Sequence, residues 1–195
     1  MIFKAILVIA VILSACSLTR KLEGDGTISY TVKAGDHYSV RRYTKLNSPA
    51  IAGDVEINET WKWDPEGRNG WSKVIGVGNL QNFEKENVRL VYQTKMIEGK
   101  IAGIFGIYVC DDGYCYNKNT NKETVIDTIW SFDKRTFEFN VGYKGNDKAY
   151  LNFNGKYREK NVTNIHGIKY LSHPYIGGTY TIDHDWNVKL YIKSY

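Results

Sequence analysis

Short runs of alternating apolar and polar residues recur along the chain, and they constrain its fold more than any other feature. The runs 27–32, 88–96, 136–143, 149–153 and 186–195 alternate in this way, and Gly, Asn or Asp residues separate them. Successive side chains of a β-strand point to opposite faces, so a period of two predicts strands that are buried on one side. No long stretch after the first 26 residues has the 3.6-residue period of a helix, and the pattern predicts a single all-β sandwich or barrel.

Three other segments add to this prediction. Residues 101–109 are almost entirely apolar and include two glycines, which predicts a strand that is covered on both faces or sharply curved. Trp61 and Trp63 alternate with polar neighbours and predict a further strand, and Asn154-Gly155 predicts a hairpin turn. An aromatic content of 14% and a hydrophobic content of 43% suit a β-rich domain and exclude a disordered chain.

The N-terminus has the pattern of an export signal. Lys4 precedes an apolar run at 5–13, which is too short to cross a bilayer as a helix of about 20 residues. The segment Leu13-Ser14-Ala15-Cys16 resembles the lipobox of bacterial lipoproteins. The resemblance implies cleavage before Cys16, diacylglycerol on its sulfur, and acylation of its new amino group by a fatty acid such as palmitate. An ordinary signal peptide with a chance cysteine is the alternative.

These features divide the chain into three parts and suggest where it resides. Residues 1–15 are predicted to be a lipoprotein signal peptide, 16–26 the lipidated Cys16 and a polar tether, and 27–195 the β-sandwich domain. Localisation in the cell envelope follows, with the membrane as a partner through the Cys16 lipid. Residue 17 is Ser rather than Asp, which in a Gram-negative cell resembles sorting to the outer membrane.

The two remaining cysteines, Cys110 and Cys115, flank an Asp-Gly turn signal at 112–113. In an exported protein this spacing predicts a disulfide that closes a hairpin tip. A metal-binding pair is the alternative, although no further cysteine is available for it. So short a loop adds little global stability, and the expected effect is to stiffen one loop.

The order of several segments resembles a known family. A Gly-Trp-Ser-Lys segment at 70–73 is followed by Arg-Leu-Val-Tyr at 89–92, an Asn-Gly hairpin at 154–155 and Tyr-Ile-Gly-Gly at 175–178. This order resembles the concanavalin A-like lectin/glucanase jelly roll, and most closely the small polysaccharide-lyase-type secreted domains. The resemblance covers about residues 27–195. It implies two packed antiparallel sheets, with a sugar chain lying across the concave face of one of them.

Alternation indicates which side chains would meet such a sugar chain. Arg89, Gln93 and Lys95 share one face of the strand 88–96, and Tyr108 ends the next strand. If that face is the concave one, two cations and an amide are offered to an anionic or hydroxyl-rich chain. The glycan-binding candidates are therefore Arg89, Gln93, Lys95 and Tyr108, together with a histidine in the same groove. A solvated convex face is the alternative.

A lyase that acts on uronic acids needs a base for the C5 proton, a donor to the leaving oxygen and a group that neutralises the carboxylate. The catalytic candidates are His37, near a predicted sheet end, and Tyr108. His173 precedes Pro174 in a predicted turn and is interpreted as structural. The chain has neither the Gln-Ile-His triplet nor the Arg-x-Glu-Leu strand of one large alginate lyase family.

A second kind of chemistry is suggested by acidic spacing. Asp54, Glu56 and Glu59 are spaced as in the Glu-x-Asp-x-x-Glu signature of laminarinase-like glycosidases, which share this fold. Their identities are Asp, Glu, Glu, and an Asp in the nucleophile position would lengthen the short carboxyl separation that a retaining enzyme needs. A solvated strand face is the default interpretation.

The leading hypothesis is a surface lipoprotein whose lectin-like domain binds polysaccharide and need not be catalytic. A polysaccharide lyase that cleaves uronate glycans by β-elimination is the first alternative. The second is a structural or host-interaction lipoprotein, which predicts no groove lined by aromatic residues. Lys and Arg are dispersed, so nucleic acid is not an expected partner. No metal or other cofactor is predicted, calcium has no supporting cluster, and a monomer is expected.

Overall fold

Antiparallel strands form nearly all of the regular structure. The computed structural model describes residues 20–22, 26–39, 44–63, 70–79, 85–115, 124–163, 169–177 and 181–194. These residues form fourteen strands and one short 3-10 helix, Glu59–Trp61. In chain order the strands are β1 (Arg20–Leu22), β2 (Thr27–Val32), β3 (Thr44–Lys45), β4 (Ala50–Ile57), β5 (Ser72–Asn79), β6 (Asn87–Ile97), β7 (Lys100–Asp111), β8 (Tyr114–Cys115), β9 (Val125–Ile129), β10 (Arg135–Lys144), β11 (Lys148–Phe153), β12 (Lys156–Asn161), β13 (Lys169–Leu171) and β14 (Trp186–Ser194).

The strands pair into two sheets. The first sheet has the order β1-β2-β14-β4-β10-β11-β12. The second has the order β3-β13-β5-β6-β7-β8, and β9 also pairs with β7. The strand pairs with a described register are all antiparallel. The predicted all-β class and the two-sheet antiparallel jelly-roll sandwich are therefore confirmed.

The inward side of each strand builds one core between the sheets. Leu151 and Phe153 of β11 are fully buried there, as are Leu90 and Tyr92 of β6 from the facing sheet. Their sequence neighbours, such as Asn152 and Arg89, are half-buried and belong to the opposite faces. We call the face of a sheet that is turned away from the other sheet its outer face. Alternation along each strand thus separates core side chains from outer-face side chains.

The predicted strand around Trp61 and Trp63 is wrong. Trp61 ends the 3-10 helix, and Trp63 lies just beyond the helix in the chain, outside any strand. Asn58 caps this helix, because its side-chain oxygen accepts a hydrogen bond from the backbone N–H of Thr60 at 3.0 Å. Both indole rings are buried, but a tight turn rather than a pleated strand brings them into the core.

The predicted tether, 16–26, contains a short strand. Within it, β1 pairs with β2 in the register Arg20 to Tyr30 and Leu22 to Ile28. Residues 1–19, including the signal-peptide segment and Cys16, lie outside the described residues.

One ion pair connects the two halves of the sandwich. The Asp127 carboxylate on β9 contacts Lys156 Nζ on β12 and accepts hydrogen bonds from Asn154 Nδ2 at 3.1 Å and the backbone N–H of Thr128 at 2.8 Å. Burial acts to raise the pKa of this carboxyl, but Lys156, Asn154 and Thr128 together hold it below its usual value. Asp127 therefore stabilises the fold as a carboxylate.

Replacing Asp127 with Asn is expected to lower the free energy of unfolding at pH 7 by about 1–2 kcal/mol, because charge-assisted hydrogen bonds are lost around a half-exposed lysine. The folded pKa lies below the unfolded one, so the stabilisation is present above about pH 4 and is lost as pH falls through the folded pKa. Urea titrations should thus show that the free energies of unfolding of Asp127→Asn and wild type become equal as the pH is lowered. The free energy of unfolding of the exposed control Asp36→Asn should stay within about 0.5 kcal/mol of wild type. If the difference in free energy of unfolding between Asp127→Asn and wild type does not vary with pH, a charge effect is excluded.

Candidate functional site

A cleft of about 330 Å³ opens on the outer face of the second sheet. Val88 and Leu90 point into the core, so Arg89 between them is on the outer face. A small outer-face cluster of Trp71, Val91 and Ile104 packs beside the cleft. The cleft is lined by Tyr38, Lys73, Asn87, Arg89, Tyr108, Cys110, Cys115, Ser172, His173 and Tyr175.

Strand register places Arg89 in the middle of this cleft. On one side Arg89 is directly opposite Tyr108 of β7, and on the other it is opposite Gly76 of β5. A Cβ at position 76 would lie 2.6 Å from Cγ of Arg89 and 2.2 Å from the carbonyl oxygen of Val88. The glycine therefore leaves the space through which the arginine side chain passes.

An extended segment at 172–177 continues the second sheet beyond β5. Tyr175 and Lys73 exchange two backbone hydrogen bonds, of 3.0 Å and 2.8 Å, and the Ser39 N–H donates to the Pro174 carbonyl at 3.4 Å. The Tyr38 ring then lies 4.7 Å from the Tyr175 ring and 6.4 Å from the His173 ring, measured between centroids. This segment adds His173 and Tyr175 to the cleft and holds Tyr38 beside them.

The cleft runs across the strands. Five backbone segments lie side by side here, and each contributes one side chain to the cleft. In spatial order these side chains are Tyr38, Tyr175, Lys73, Arg89 and Tyr108. Neighbouring strands are about 4.8 Å apart, so this row spans about 20 Å. An extended chain of several sugar rings matches that length and direction.

The cleft is positively charged. Nζ of Lys73 lies 4.7 Å from the centroid of the Tyr175 ring and 5.3 Å from that of Tyr108, so the ammonium is between two aromatic faces. Arg89 supplies a second cation, and none of the described residues that line the cleft is acidic. A ligand with carboxylate or sulfate groups complements this surface.

Two polar residues of the cleft wall are buried. Asn87 is 1% exposed and His173 is 7% exposed, although both border the cleft. Asn87 precedes Arg89 by two positions on β6 and therefore shares its face. Because both side chains are buried, the amide of Asn87 and the imidazole of His173 have fixed orientations. Recognition of a ligand and proton transfer both require such fixed orientations.

The predicted disulfide is confirmed and lies at one end of the cleft. Cys110 of β7 is bonded to Cys115 of β8. Asp112 and Gly113 between them have φ angles of 45° and 83°, the left-handed pair that an Asp-Gly hairpin turn requires. Cys110 is directly opposite Asn87, so the disulfide borders the buried amide.

The predicted site residues divide into two groups. Arg89 and Tyr108 line the cleft, whereas Gln93 and Lys95 do not belong to the described lining and lie further along β6. Gln93 is only 3% exposed, which leaves its amide little surface for a glycan. His37 also lies outside the lining; its Nδ1 donates to the Ile176 carbonyl at 3.0 Å and its ring stacks on Tyr175.

Several residues of the cleft were not predicted to bind a ligand. His173, interpreted as structural, lines the cleft in place of His37. Asn87 shares a face with Arg89, and extending the alternation by two positions would have found it. Lys73 and Tyr175 belong to segments that carry the family resemblance, but neither was predicted to bind a ligand, and Tyr38 carried no local signal.

The acidic triplet is remote from this cleft. Asp54 on β4 is bound by Lys193 at 3.0 Å, and Glu56 accepts a hydrogen bond from Tyr191 O–H at 3.1 Å. These partners belong to the first sheet, and Glu59 is exposed in the 3-10 helix. Glu56 is only 8% exposed and the Asp54 side chain 18%, so these two carboxylates are largely covered by their partners, whereas the default interpretation expected a solvated strand face.

Within the described ranges, no group of three or more His, Cys, Asp or Glu side chains could hold a metal ion. No helix in the described part of the chain has the length and apolar character needed to cross a membrane.

Comparisons with known proteins define the class of fold. No protein-family model matches the sequence, and no curated protein shows significant similarity to it. Among solved structures, an alginate lyase from Pseudomonas aeruginosa has a TM-score of 0.56 at 12% identity, over 95% of this chain and 90% of that one. An alginate lyase from Klebsiella pneumoniae has a TM-score of 0.53 at 10% identity, over 89% of this chain and 82% of that one.

A third neighbour, an alginate lyase of polysaccharide lyase family 7, has a TM-score of 0.52 at 11% identity, over 90% of this chain and 80% of that one. The chain therefore has a jelly-roll sandwich fold like that of these polysaccharide lyases. At such low identities the likeness concerns the fold.

Proposed function

We propose that the cleft binds an anionic polysaccharide that contains uronic acid units. The observation that carries this proposal is the placement of Lys73 and Arg89 in a tyrosine-lined cleft without a described acidic residue. Arg89 can bind both oxygens of one carboxylate, and Lys73 can attract a second one as a point charge. The rings of Tyr38, Tyr108 and Tyr175 offer flat apolar surfaces to sugar rings. A tyrosine-lined cleft also favours this function over that of a host-interaction scaffold.

A second candidate function is cleavage of the same chain by β-elimination. Tyr108 and His173 favour it, because both line the cleft that contains Arg89. Arg89 and Asn87 are suited to neutralising the uronate carboxylate, which makes the C5 proton more acidic. Tyr108 and His173 are suited to removing that proton and protonating the leaving oxygen. The fold neighbours are alginate lyases, so alginate is the first substrate to test.

One experiment separates these functions. The chain from Ser17 onward is mixed with alginate, pectate, glucuronan or heparin, while calorimetry measures binding and ultraviolet absorbance measures unsaturated uronate ends. Binding with growing absorbance indicates a lyase, and binding with constant absorbance indicates a binding protein. Failure to bind any of the four polymers would contradict both functions and favour a structural or host-interaction role.

We also propose that the chain is a lipoprotein held in the cell envelope by lipid on Cys16. The support is the lipobox-like segment that ends at Cys16, since several acyl chains on one residue give stable anchoring. In a Gram-negative cell, Ser17 favours the outer membrane.

Replacing Cys16 with Ser is expected to move the protein from the membrane fraction to the soluble fraction and to abolish labelling by radioactive palmitate. The reason is that diacylglycerol transfer requires the sulfur. Cell fractionation with immunoblotting measures the change, and Ser14→Ala, which keeps a small residue and the cysteine, is the matched control. Membrane retention of the Cys16→Ser variant would contradict the anchor.

A further inference from the structure

The outer face of the first sheet carries a second groove, of about 260 Å³. It lies on the opposite side of the sandwich from the cleft, because the cleft belongs to the outer face of the second sheet. Small residues form part of the groove, so a ligand can come close to the backbone as well as to side chains. The groove is lined by Ala52, Gly53, Glu138, Phe139, Asn140, Asn152, Gly155 and Lys193.

Two amides lie side by side in this groove. Asn140 of β10 is directly opposite Asn152 of β11, and such pairs have Cβ atoms about 4.5–5.5 Å apart. Tyr150 O–H donates to Oδ1 of Asn140 at 2.8 Å, which leaves the amide NH₂ of Asn140 as a donor. Within the described residues, the Asn152 side chain has no hydrogen-bond partner. Neighbouring amides of this kind match the paired donors and acceptors of adjacent hydroxyl groups on a sugar.

An aromatic edge borders the amides. Tyr157 of β12 is directly opposite Asn152 and is 44% exposed. Its ring stacks on that of Tyr150 with centroids 6.0 Å apart, and its O–H donates to Glu159 Oε2 at 2.9 Å. These contacts fix an exposed ring beside the amide pair, where it can pack on the C–H face of a sugar.

The charges of the groove are paired with one another. Nζ of Lys193 contacts Asp54 at 3.0 Å and Glu138 at 3.2 Å. One cation thus faces two carboxylates, in contrast to the acid-free lining described for the cleft. A polyanion would meet Glu138 and Asp54 here, so an uncharged ligand is favoured.

We propose that the groove around Asn140, Asn152 and Tyr157 is a second carbohydrate site, which binds a neutral saccharide. The amides bind hydroxyl groups, and Tyr157 packs against the ring. Because this site uses the other sheet and other chemistry, it does not depend on the function proposed for the cleft.

Calorimetry on the purified full-length protein in detergent tests the proposal, with cellohexaose, laminarihexaose, mannohexaose and galactan oligosaccharides as probes. At least one probe should bind. The double variant Asn140→Ala/Asn152→Ala should bind it about tenfold more weakly, because hydrogen bonds of both amides are lost, and Tyr157→Ala should weaken it similarly. Far-UV circular dichroism verifies that each variant is folded, and Tyr157→Phe, which keeps the ring, should retain binding.

Two controls make the result specific. Thr31→Ala lies on the same outer face, paired with Asn187 across β2 and β14, and should leave neutral-sugar binding unchanged. Arg89→Ala should likewise leave it unchanged, even if alginate binding is lost. The proposal is overturned if none of the neutral probes binds, or if the folded double variant binds as tightly as wild type. Neither result bears on the cleft, which alginate binding tests separately.

Discussion

Replacing Arg89 with alanine should weaken binding of a uronate polysaccharide about 30- to 150-fold, which corresponds to about 2–3 kcal/mol. The residue is half-buried at the centre of the cleft, between Tyr108 and Gly76, so a carboxylate bound there is partly shielded from water. Charge-assisted hydrogen bonds in such a site are stronger than those on an open surface. Isothermal titration calorimetry with alginate oligosaccharides measures the change.

Arg89→Lys should give an intermediate affinity, because an ammonium keeps the positive charge but cannot bind both carboxylate oxygens in one plane. Wild-type affinity should fall as salt concentration rises, and Arg89→Ala should reduce that dependence. If the chain is a lyase, Arg89→Ala should also lower kcat/KM, because the carboxylate is neutralised more strongly in the transition state than in the ground state.

Lys95→Ala is the matched control. Lys95 has the same charge and shares the outer face of β6, but it lies about 20 Å further along the strand and outside the described lining of the cleft. Its replacement should change affinity less than about threefold. The opposite order of effects would show that the polysaccharide runs along β6 rather than across the sheet.

The strands could be predicted because their signal is local. In β6 and β11 each core residue is two positions from the next. This alternation can be recognised in the sequence without knowing which strand is the partner. Trp61 and Trp63 have the same spacing, yet a capped 3-10 turn buries them. The Asn58 cap was readable in the sequence, but a period of two over so short a segment does not distinguish a turn from a strand.

Lys73 shows why part of the site could not be predicted. Strict alternation would put Lys73 on the same face as Ile75 and Val77, which are buried in the core. The register of β5 against β6 shifts between Lys73 and Ile75, as in a β-bulge, and Lys73 lines the cleft on the outer face instead. The pattern of one strand does not report where its partner imposes such a shift.

His173 and Tyr38 depend on contacts that are distant in sequence. Ser39 and Pro174, which join their segments, are 135 positions apart. Local propensity carries no information on such a pairing. From the sequence, a His-Pro turn that lines a binding site therefore looks the same as a His-Pro turn with a purely structural role. Gln93 is the converse case. A polar side chain is expected to be exposed, but the Gln93 side chain on β6 is buried. Arg89 and Tyr108 were predictable because they are on adjacent strands joined by one hairpin.

Replacing Trp61 with alanine is expected to lower the free energy of unfolding by about 3–5 kcal/mol, the range for deleting a large buried aromatic side chain. The Trp61 ring is fully buried, and its centroid lies 5.1 Å from that of Tyr92 and 5.2 Å from that of Trp186. Its Nε1–H donates to the Asn187 carbonyl at 2.9 Å, and its own carbonyl accepts from Tyr92 O–H at 2.6 Å. One residue thus connects the 3-10 helix, β6 and β14.

Urea unfolding followed by far-UV circular dichroism measures this loss, and a chain of this length should lose roughly 10 °C in Tm. Trp61→Phe should recover part of the stability, because it keeps ring packing but leaves the Asn187 carbonyl without its indole donor. Trp130→Ala is the matched control, since that indole is 54% exposed and its removal should cost less than about 1 kcal/mol. Equal destabilisation by the two alanine variants would contradict the placement of Trp61 at the centre of the core, because only a buried ring leaves a cavity that the surrounding side chains cannot fill.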